Sequence, residues 1–524
     1  MPAASDPTSI AHKHFAVSEH VGLVVVGAGA AGIEAAVTAA RLGLSTMLVD
    51  EHPVAPGLSG IDVPWMFGQR LGAAAQNQAR MLERIVAARP GLQAAFDAGV
   101  DVRLGTYVWS AFVEGPTSRA LPGPMLGLAD ETRAWFIGFD RMIVAAGARD
   151  LALAFPGWDR PGVMGALGFA AAVELYGAFA GRRIVVLGGG ALGARTVRLA
   201  QAAGIEMAGV VDVASRGQHS VGAPLHAGYR VREVTGATDV QRITIERPDG
   251  SDTLRIACDT IVLAVDTVPN VELFDLLGCA MRFVPAAGGF VPVTDGAGRC
   301  SRAGIYAAGD CAGVSDAGLT DMALAAAGGR RAAHAAVRDA GLAAPEVQEA
   351  ATVETADRDA WRREWLHAHA GMPQAGGLPI CLCEEVSLGD LIGVRPPRYV
   401  SYDAEKFAAR DLRSLAAEGP VNQDQIKRLT RAGMGPCQGR RCREQVQVLL
   451  AMQGNQATGS VAMPSYRAPL RPLPLGVLAA FDESPEVRAQ WTGWFGIAAQ
   501  WLPHWEKVPD GLRYETRLIP GAEE

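Results

Sequence analysis

The chain has 524 residues, 49% of them hydrophobic and 20% charged, which is typical of a globular protein and too long for a single core. Its 48 basic and 55 acidic residues give a net charge of −7, which argues against nucleic acid as a partner. No run of 18 apolar residues is present and the first 20 residues lack a signal peptide's apolar segment, so we expect a cytoplasmic protein with reduced cysteines.

The first predicted unit is a βαβ segment with a glycine-rich turn. An apolar strand over 21–26 leads into the turn and a helix, and a second strand ends at an acidic residue. In this pattern the first glycine permits the bend, the second lets the backbone approach a pyrophosphate, and the third lets helix and strand pack closely. The acidic residue accepts hydrogen bonds from a ribose hydroxyl. The pattern predicts a dinucleotide site formed by Gly27, Gly29, Gly32 and Asp50.

A second βαβ segment follows a Pro- and Gly-rich linker over 151–165. Its strand over 183–187, its turn and its helix repeat the first pattern, and its second strand also ends at an aspartate. A carboxylate at this point favours a ribose with a free 2′-hydroxyl, hence NAD rather than NADP. The residues of this second motif are Gly188, Gly190, Gly193 and Asp212.

Two further signals, taken in chain order with the two glycine-rich turns, make the sequence similar to a known family. Residues 145–149 contain Gly147, and a late strand ends at Gly309 and Asp310 before an Ala-rich helix. Together with the two turns, they resemble flavoproteins that have two dinucleotide-binding domains in a glutathione-reductase-like α/β architecture. The resemblance implies FAD, held by the first turn, by Gly147 and Gly309, and by Asp310, whose carboxylate would hold the ribityl chain.

The resemblance also divides the chain. It implies an FAD-binding domain split over 20–155 and 285–345, with a nucleotide-binding domain inserted at 156–284. The family commonly has a glycine before the Pro-Asn pair that ends the inserted domain, where this chain has Asp266. A carboxylate there would add bulk and negative charge beside a phosphate-bearing ligand. Two interpretations stay open: a bound NAD or ATP-like nucleotide, or a retained fold without hydride transfer.

Half of the eight cysteines form two close pairs within 62 residues, as Cys381 and Cys383, then Cys437 and Cys442. Four soft thiolates in a reduced compartment suit zinc or an iron–sulfur cluster, although structural zinc usually takes pairs with wider spacing. A redox disulfide is a third interpretation. Disulfide reductases of this fold carry their pair just after the second strand, and residues 51–60 contain no cysteine.

Residues 429–442 resemble the domain related to bacterioferritin-associated ferredoxin. The resemblance implies that all four cysteines bind one [2Fe–2S] cluster in a small helical domain over 378–452, after a connector over 346–377. The two pairs are further apart than in that family, and the extra segment near 394–414 is interpreted as a docking loop or a surface insertion.

The remaining residues, 453–524, form a Pro- and Trp-rich segment. Its portion 466–476 resembles the end of the large subunits of heteromeric opine and amino-acid dehydrogenases, a group that includes hydrogen cyanide synthase, hydroxyproline dehydrogenase and sarcosine oxidase. Four tryptophans follow at helical spacing, which predicts a stripe that packs on the chain itself, on a partner or on a membrane surface: Trp491, Trp494, Trp501 and Trp505.

No residue is identified as a catalytic base or nucleophile. The resemblance implies the large subunit of a heteromeric enzyme that oxidises an amine, amino acid or opine on a smaller D-amino-acid-oxidase-like flavoprotein. It also allows a further small subunit, FMN at a subunit interface, a quinone or carrier as electron acceptor, and a peripheral position at the inner face of the membrane. The alternatives are an NADH-dependent FAD and [2Fe–2S] reductase and a structural, cluster-carrying subunit.

Overall fold

The computed structural model describes residues 17–54, 77–114, 123–214, 222–316, 321–346, 358–397, 399 and 410–480. The predicted tryptophan stripe, residues 56–60 and most of the leader before residue 20 lie outside this range. So does most of the segment near 394–414. None of the helices in the described ranges has the length and apolar character that a membrane span requires.

The first part of the chain forms a mixed sheet with helices against it. Strands β1, β2 and β3 lie parallel beside β6, and β4, β5 and β6 are antiparallel, in the order β3-β2-β1-β6-β5-β4. The elements are β1 Glu19–Val26, α1 Ala30–Arg41, β2 Thr46–Asp50, α2 Gln78–Ala88, α3 Gly91–Asp97, β3 Asp101–Leu104, β4 Tyr107–Phe112, β5 Met125–Ala129, β6 Ala134–Val144 and β7 Ala148–Asp150.

The middle of the chain forms a second, parallel sheet in the order β11-β10-β9-β15-β8, with a three-stranded antiparallel sheet of β12, β13 and β14 beside it. A π-helical turn over Ala171–Leu175 continues α4. The elements are β8 Val163–Gly165, α4 Ala166–Ala170, β9 Arg183–Leu187, α5 Ala191–Ala202, β10 Glu206–Asp212, β11 Leu225–Ala227, β12 Arg230–Thr235, β13 Arg242–Glu246, β14 Thr253–Ala257 and β15 Thr260–Leu263.

The chain then returns to the first sheet, where β19 pairs with β6 in parallel, and β16 pairs with β7 between the two sheets. Helices α1 and α7 pack closely through small residues, since a Cβ on Gly329 would lie 1.9 Å from the Ala31 carbonyl oxygen. The elements are β16 Thr267–Pro269, α6 Glu272–Leu276, β17 Met281–Val284, β18 Gly289–Pro292, β19 Ile305–Ala307 and α7 Met322–Asp339.

The last described part is mainly helical. It shares one hydrophobic core with the second sheet, because Val185, Trp365, Leu378 and Leu449 belong to the same buried cluster. The elements are α8 Arg358–Ala370, β20 Pro379–Cys381, β21 Val386–Ser387, α9 Leu388–Ile392, α10 Leu412–Glu418, α11 Gln423–Thr430, α12 Arg443–Gln453 and α13 Leu475–Ala479.

Four buried charged residues join this helical part to the first sheet. Arg149 on β7 donates to Glu272 on α6 at 3.2 Å and to Glu444 on α12. Arg443 donates to Glu272 at 3.1 Å and to Glu444 at 2.5 Å. Burial alone would raise the pKa of Glu272, but Arg149 and Arg443 lower it to about 2. These four residues form a neutral set, which we call the ion quartet.

We expect Glu444→Gln to destabilise the protein, because it leaves an excess positive charge in the ion quartet. Breaking a buried pair in this way costs about 3–5 kcal/mol. The control is Glu206→Gln, which removes the solvent-exposed partner of Arg183 and should cost less than about 1 kcal/mol. Urea unfolding of the FAD-loaded protein measures both, and equal losses would contradict the role given to the quartet.

Candidate functional site

The first glycine-rich turn has the geometry that its sequence predicts. Gly27 has a φ of +107°, and a Cβ there would lie 2.3 Å from the Ala145 carbonyl oxygen. A Cβ on Gly32 would lie 1.7 Å from the Gly27 carbonyl oxygen, so both positions require glycine. Gly29 differs, because a Cβ there would meet no atom within 4 Å. It faces open space.

That space is a cavity of about 420 Å³ at the edge of the first sheet. Its lining includes Gly27, Gly29, Asp50 and Gly147, which the sequence predicts as FAD ligands. Gly147 has a φ of +66° and, like Gly29, no atom within 4 Å of an added Cβ. A long, open cavity over a βαβ turn is the environment that a dinucleotide requires, so these residues fit FAD.

Asp50 is buried at the end of β2 and accepts hydrogen bonds from the Ala28 N–H at 2.6 Å and the His52 N–H at 2.9 Å. Arg89 donates to the same carboxylate at 3.1 Å. Burial would raise the pKa of Asp50, but Arg89, His52 and the backbone donors together lower it. The carboxylate is therefore ionised and able to accept from a ribose hydroxyl.

Gly309 and Asp310 follow β19, as predicted, and lie beside α1, but they do not belong to the lining of this cavity. Gly309 has a φ of +72°, and a Cβ there would lie 3.0 Å from the Ala31 Cβ. Burial raises the pKa of Asp310, while Arg195, which lines the cavity, and Arg358 oppose the shift. Asp310 thus lies near a lining residue, Arg195, but is not itself part of the lining.

The second glycine-rich turn repeats the first. Gly188 has a φ of +113° and its Cβ would lie 2.4 Å from the Ala264 carbonyl oxygen, while that of Gly193 would lie 1.9 Å from the Gly188 carbonyl oxygen. Asp212 accepts from the Gly189 N–H at 2.6 Å, as Asp50 accepts from Ala28. Burial raises the pKa of Asp212.

The two turns differ in what lies over the middle glycine. A Cβ on Gly190 would lie 2.7 Å from the ring of Trp361, a residue of α8. The Trp361 indole N–H also points to the Asp212 carboxylate, with Nε1 3.4 Å from Oδ1. Sequence reasoning missed this contact, because α8 falls within the segment interpreted as a connector.

The interpretation of Asp266 as a negative charge beside a nucleotide is wrong. Its side chain is fully buried and accepts from Arg358 and from Arg362 Nε, the latter at 2.7 Å. Two guanidinium groups therefore neutralise it, and its role is to hold α8. The sequence offered a signal for this pairing in the Arg-rich stretch 358–363, but not its partner.

The structure brings the four paired cysteines together. The Cys383 thiol hydrogen-bonds to Cys437, and the Cys442 thiol to Cys381. The hydrogen bond from Cys383 lowers the pKa of Cys437 to about 5. The Gly433 N–H also donates to Cys381 Sγ at 3.5 Å. Within the described ranges, no group of three or more His, Cys, Asp or Glu could hold a metal ion, and these thiols stand instead as two pairs.

The thiols lie next to the cavity. Arg440, between Cys437 and Cys442, lines the cavity, and its carbonyl oxygen accepts from Arg149 Nε at 3.1 Å. The Arg440 side chain is buried and donates to the Leu470 carbonyl oxygen. The sequence alone offers no signal for this position, because these two contacts of Arg440 are with residues 291 and 30 positions away.

The segment after the cysteines closes another part of the cavity. Leu470 and Arg471 belong to the lining, and the Leu470 N–H donates to the Trp109 carbonyl oxygen at 2.6 Å. Arg471 donates to Glu51, which follows Asp50, and lowers its pKa against the effect of burial. The portion that resembles a large-subunit terminus therefore contributes directly to the lining of this cavity.

A βαβ unit whose open glycine turn faces a cavity, followed by a second βαβ unit whose turn is covered, is the arrangement of an oxidoreductase fold with two dinucleotide-binding motifs. The chain belongs to the pyridine nucleotide-disulphide oxidoreductase family, whose profile matches residues 21–340. Membership of this family implies FAD binding and confirms the predicted α/β fold class. Residues 398–482 match the sarcosine oxidase A3 domain.

Similar proteins agree with the predicted resemblance. The chain is 25% identical to an opine oxidase subunit of Agrobacterium tumefaciens, over 91% of this chain and 95% of that one. It is 26% identical to the HcnB subunit of hydrogen cyanide synthase from Pseudomonas aeruginosa, over 80% and 90% of the two chains. L-proline dehydrogenase from P. horikoshii has a similar fold, with a TM-score of 0.59, 18% identity and 88% and 80% coverage.

We expect Gly29→Val to abolish FAD binding, because the added side chain would occupy the open space over the turn where a pyrophosphate approaches. Flavin released on denaturation should fall at least tenfold per mole of purified protein. Gly476→Val is the control, since a Cβ there also meets no atom within 4 Å but lies outside the cavity lining. Full flavin content in the Gly29 variant would refute the placement.

Proposed function

We propose that this chain is the electron-transferring large subunit of a heteromeric FAD and [2Fe–2S] dehydrogenase or oxidase. In this proposal an amine, amino acid or opine is oxidised on a partner flavoprotein, and the electrons leave to a quinone or carrier. The observation that carries the proposal is the grouping of four largely buried thiols in the segment that also supplies Arg440 to the cavity lining.

The thiols suit a binuclear cluster better than a single ion. A [2Fe–2S] cluster takes its ligands from four cysteines, two to each iron, and the thiols form two pairs. The neighbouring N–H groups of Gly433 and Arg441 interact with Cys381 and Cys437. Such donors stabilise thiolates and would raise the reduction potential of a bound cluster. The proposed ligands are Cys381, Cys383, Cys437 and Cys442.

The proposed FAD ligands are the first turn with Asp50, Gly147, Gly309 and Asp310. When bound, flavin supplies the hydride and one-electron chemistry. The chain's own residues fix the distance between the two redox sites, because Arg149 and Arg440 contact each other between the cavity and Cys437. Both arginines are buried and bonded to other residues, so this wall is rigid and excludes water.

The partner is proposed from the relatives, which are named as subunits of opine oxidase and hydrogen cyanide synthase. The charged groups of the ion quartet that reach the cavity are already paired with one another. A quartet engaged in this way offers no base for an amine substrate. Together with the relatives' names as subunits, this favours substrate oxidation on a smaller D-amino-acid-oxidase-like flavoprotein. Optional components are FMN at the interface and a further small subunit.

The proposed domains keep the boundaries expected from the sequence, and only the role of the region 346–377 changes. The split FAD domain at 20–155 and 285–345 and the inserted domain at 156–284 fit the two sheets. The cysteine domain at 378–452 and the terminal segment from 453 follow. The region 346–377 is more than a connector, since α8 within it packs against the inserted domain.

The alternative of an NADH-dependent reductase has one observation in its favour, the carboxylate of Asp212 at the end of β10. The ring of Trp361 over Gly190 opposes it, because the backbone there is no longer open to a pyrophosphate. The third alternative, a structural subunit with an empty flavin fold, is opposed by the open first turn and its cavity.

We expect Cys437→Ser to abolish the EPR signal of the reduced cluster and most of the bound iron, while FAD content stays unchanged. A serine hydroxyl is a poor substitute for a thiolate on iron. Cys258→Ser is the control, because Cys258 is also buried but lies between β14 and β15 and is not one of the four paired thiols. Loss of flavin together with iron would contradict separate sites, and unchanged iron would exclude Cys437 as a ligand.

We also expect the chain to co-purify from its native host with a second flavoprotein that has substrate-dependent dehydrogenase activity. Purified without that partner, the chain should show no such activity with amines, amino acids or opines, because we place substrate oxidation on the partner. Amine oxidation by the isolated, FAD-loaded chain would contradict this division of labour.

A further inference from the structure

The second glycine-rich turn is already filled by the chain itself. At the first turn, an added Cβ on Gly29 meets nothing within 4 Å, whereas at the second turn the same addition on Gly190 meets Trp361 at 2.7 Å. The two glycines have nearly the same backbone conformation, with φ of −75° and −76°. The difference between the turns is therefore the indole ring and not the path of the backbone.

Trp361 covers both features by which this kind of motif recognises a nucleotide. Its ring lies on the glycine that must let a pyrophosphate approach, and its Nε1 lies 3.4 Å from Asp212 Oδ1, the acceptor for a ribose hydroxyl. Glu364, one turn further along α8, adds negative charge near Asp212. A nucleotide would have to displace the indole and bring its phosphates close to this carboxylate.

Two arginines hold α8 in this position. Arg362 donates through Nε to Asp266 at 2.7 Å and through its NH2 group to the carbonyl oxygens of Thr267 and Gly288 at 3.1 and 3.0 Å. Arg358 donates to Asp266 and to Asp316. Because Asp266 is fully buried, withdrawal of α8 would leave an unpaired charge in the interior, which is strongly unfavourable.

The same face of α8 continues into the core, because Trp361, Trp365 and His369 follow one another at spacings of four residues. Trp365 is 1% exposed and stacks on His369, with ring centroids 5.4 Å apart. His369 Nε2 accepts from the Val231 N–H at 3.1 Å, and its Nδ1–H donates to the Trp365 carbonyl oxygen at 2.8 Å. The histidine is therefore neutral, and burial lowers its pKa to about 4. A helix anchored along this face by Arg362, Trp365 and His369 is a fixed element and not a lid.

We propose that the second glycine-rich turn is a socket for this chain's own helix α8, with Trp361 in the place of a nucleotide, and that the inserted domain binds neither NAD(H) nor ATP. Its role is to position the cysteine segment that follows α8, since Leu366, Leu378 and Cys381 share its core. The consequence that electrons do not enter from NADH rests on the proposed function. The occupation of the second turn by Trp361 does not rest on it.

A double-mutant cycle tests the contact in the FAD-loaded protein. Gly190→Ala should lower the Tm of the wild type by several degrees, because its Cβ collides with the indole, and should have little effect in a Trp361→Ala background. Gly376→Ala is the control, since its Cβ meets nothing within 4 Å and should act equally in both backgrounds. Equal destabilisation by Gly190→Ala in both backgrounds would overturn the proposal.

Calorimetric titration with NAD⁺, NADH and ATP tests the absence of a nucleotide site. The FAD-loaded wild type should show no saturable binding up to about 1 mM, a limit that corresponds to about −4 kcal/mol. Saturable binding that weakens tenfold or more in Asp212→Ala would overturn the proposal. Iron content and partner co-purification are measured separately, so a failure of the socket is distinguishable from a failure of the proposed function.

Discussion

The ion quartet of Arg149, Glu272, Arg443 and Glu444 is the interaction on which the arrangement of the sites depends. Each charge is buried, so each needs its partners in place, and the set is satisfied in only one relative position of β7, α6 and α12. Helix α12 begins directly after Cys442, while β7 borders the flavin cavity. A change in any one of the three elements therefore moves the thiols relative to the cavity.

Features that depend on short stretches of sequence were predictable. Both glycine turns have the predicted geometry because each glycine answers a local steric demand, such as the 2.3 Å approach of Gly27 to Ala145. The strand predicted over 183–187 is β9. Its continuous run of apolar residues is typical of a strand in a parallel sheet, which is buried on both faces.

Features that depend on distant partners were not predictable from one sequence. Asp266 looked like a charge beside a ligand because its two arginines lie more than 90 residues away in the chain. The cysteines were grouped by spacing, but their contact with the flavin cavity through Arg440 and Arg149 links residues 291 positions apart. Asp310 has the expected place after β19, yet it is not among the residues that line the cavity.

The carboxylates of Asp50 and Asp212 each accept a hydrogen bond of 2.6 Å from the backbone of their own glycine turn. Each turn is thus braced from within, and its shape does not depend on a bound nucleotide. A braced turn keeps its glycines and its acid under selection for folding after its ligand has been lost. In this protein a glycine-rich turn with its acidic residue can therefore reflect an ancestral nucleotide site as readily as a present one. The residue that lies over the middle glycine distinguishes these two cases.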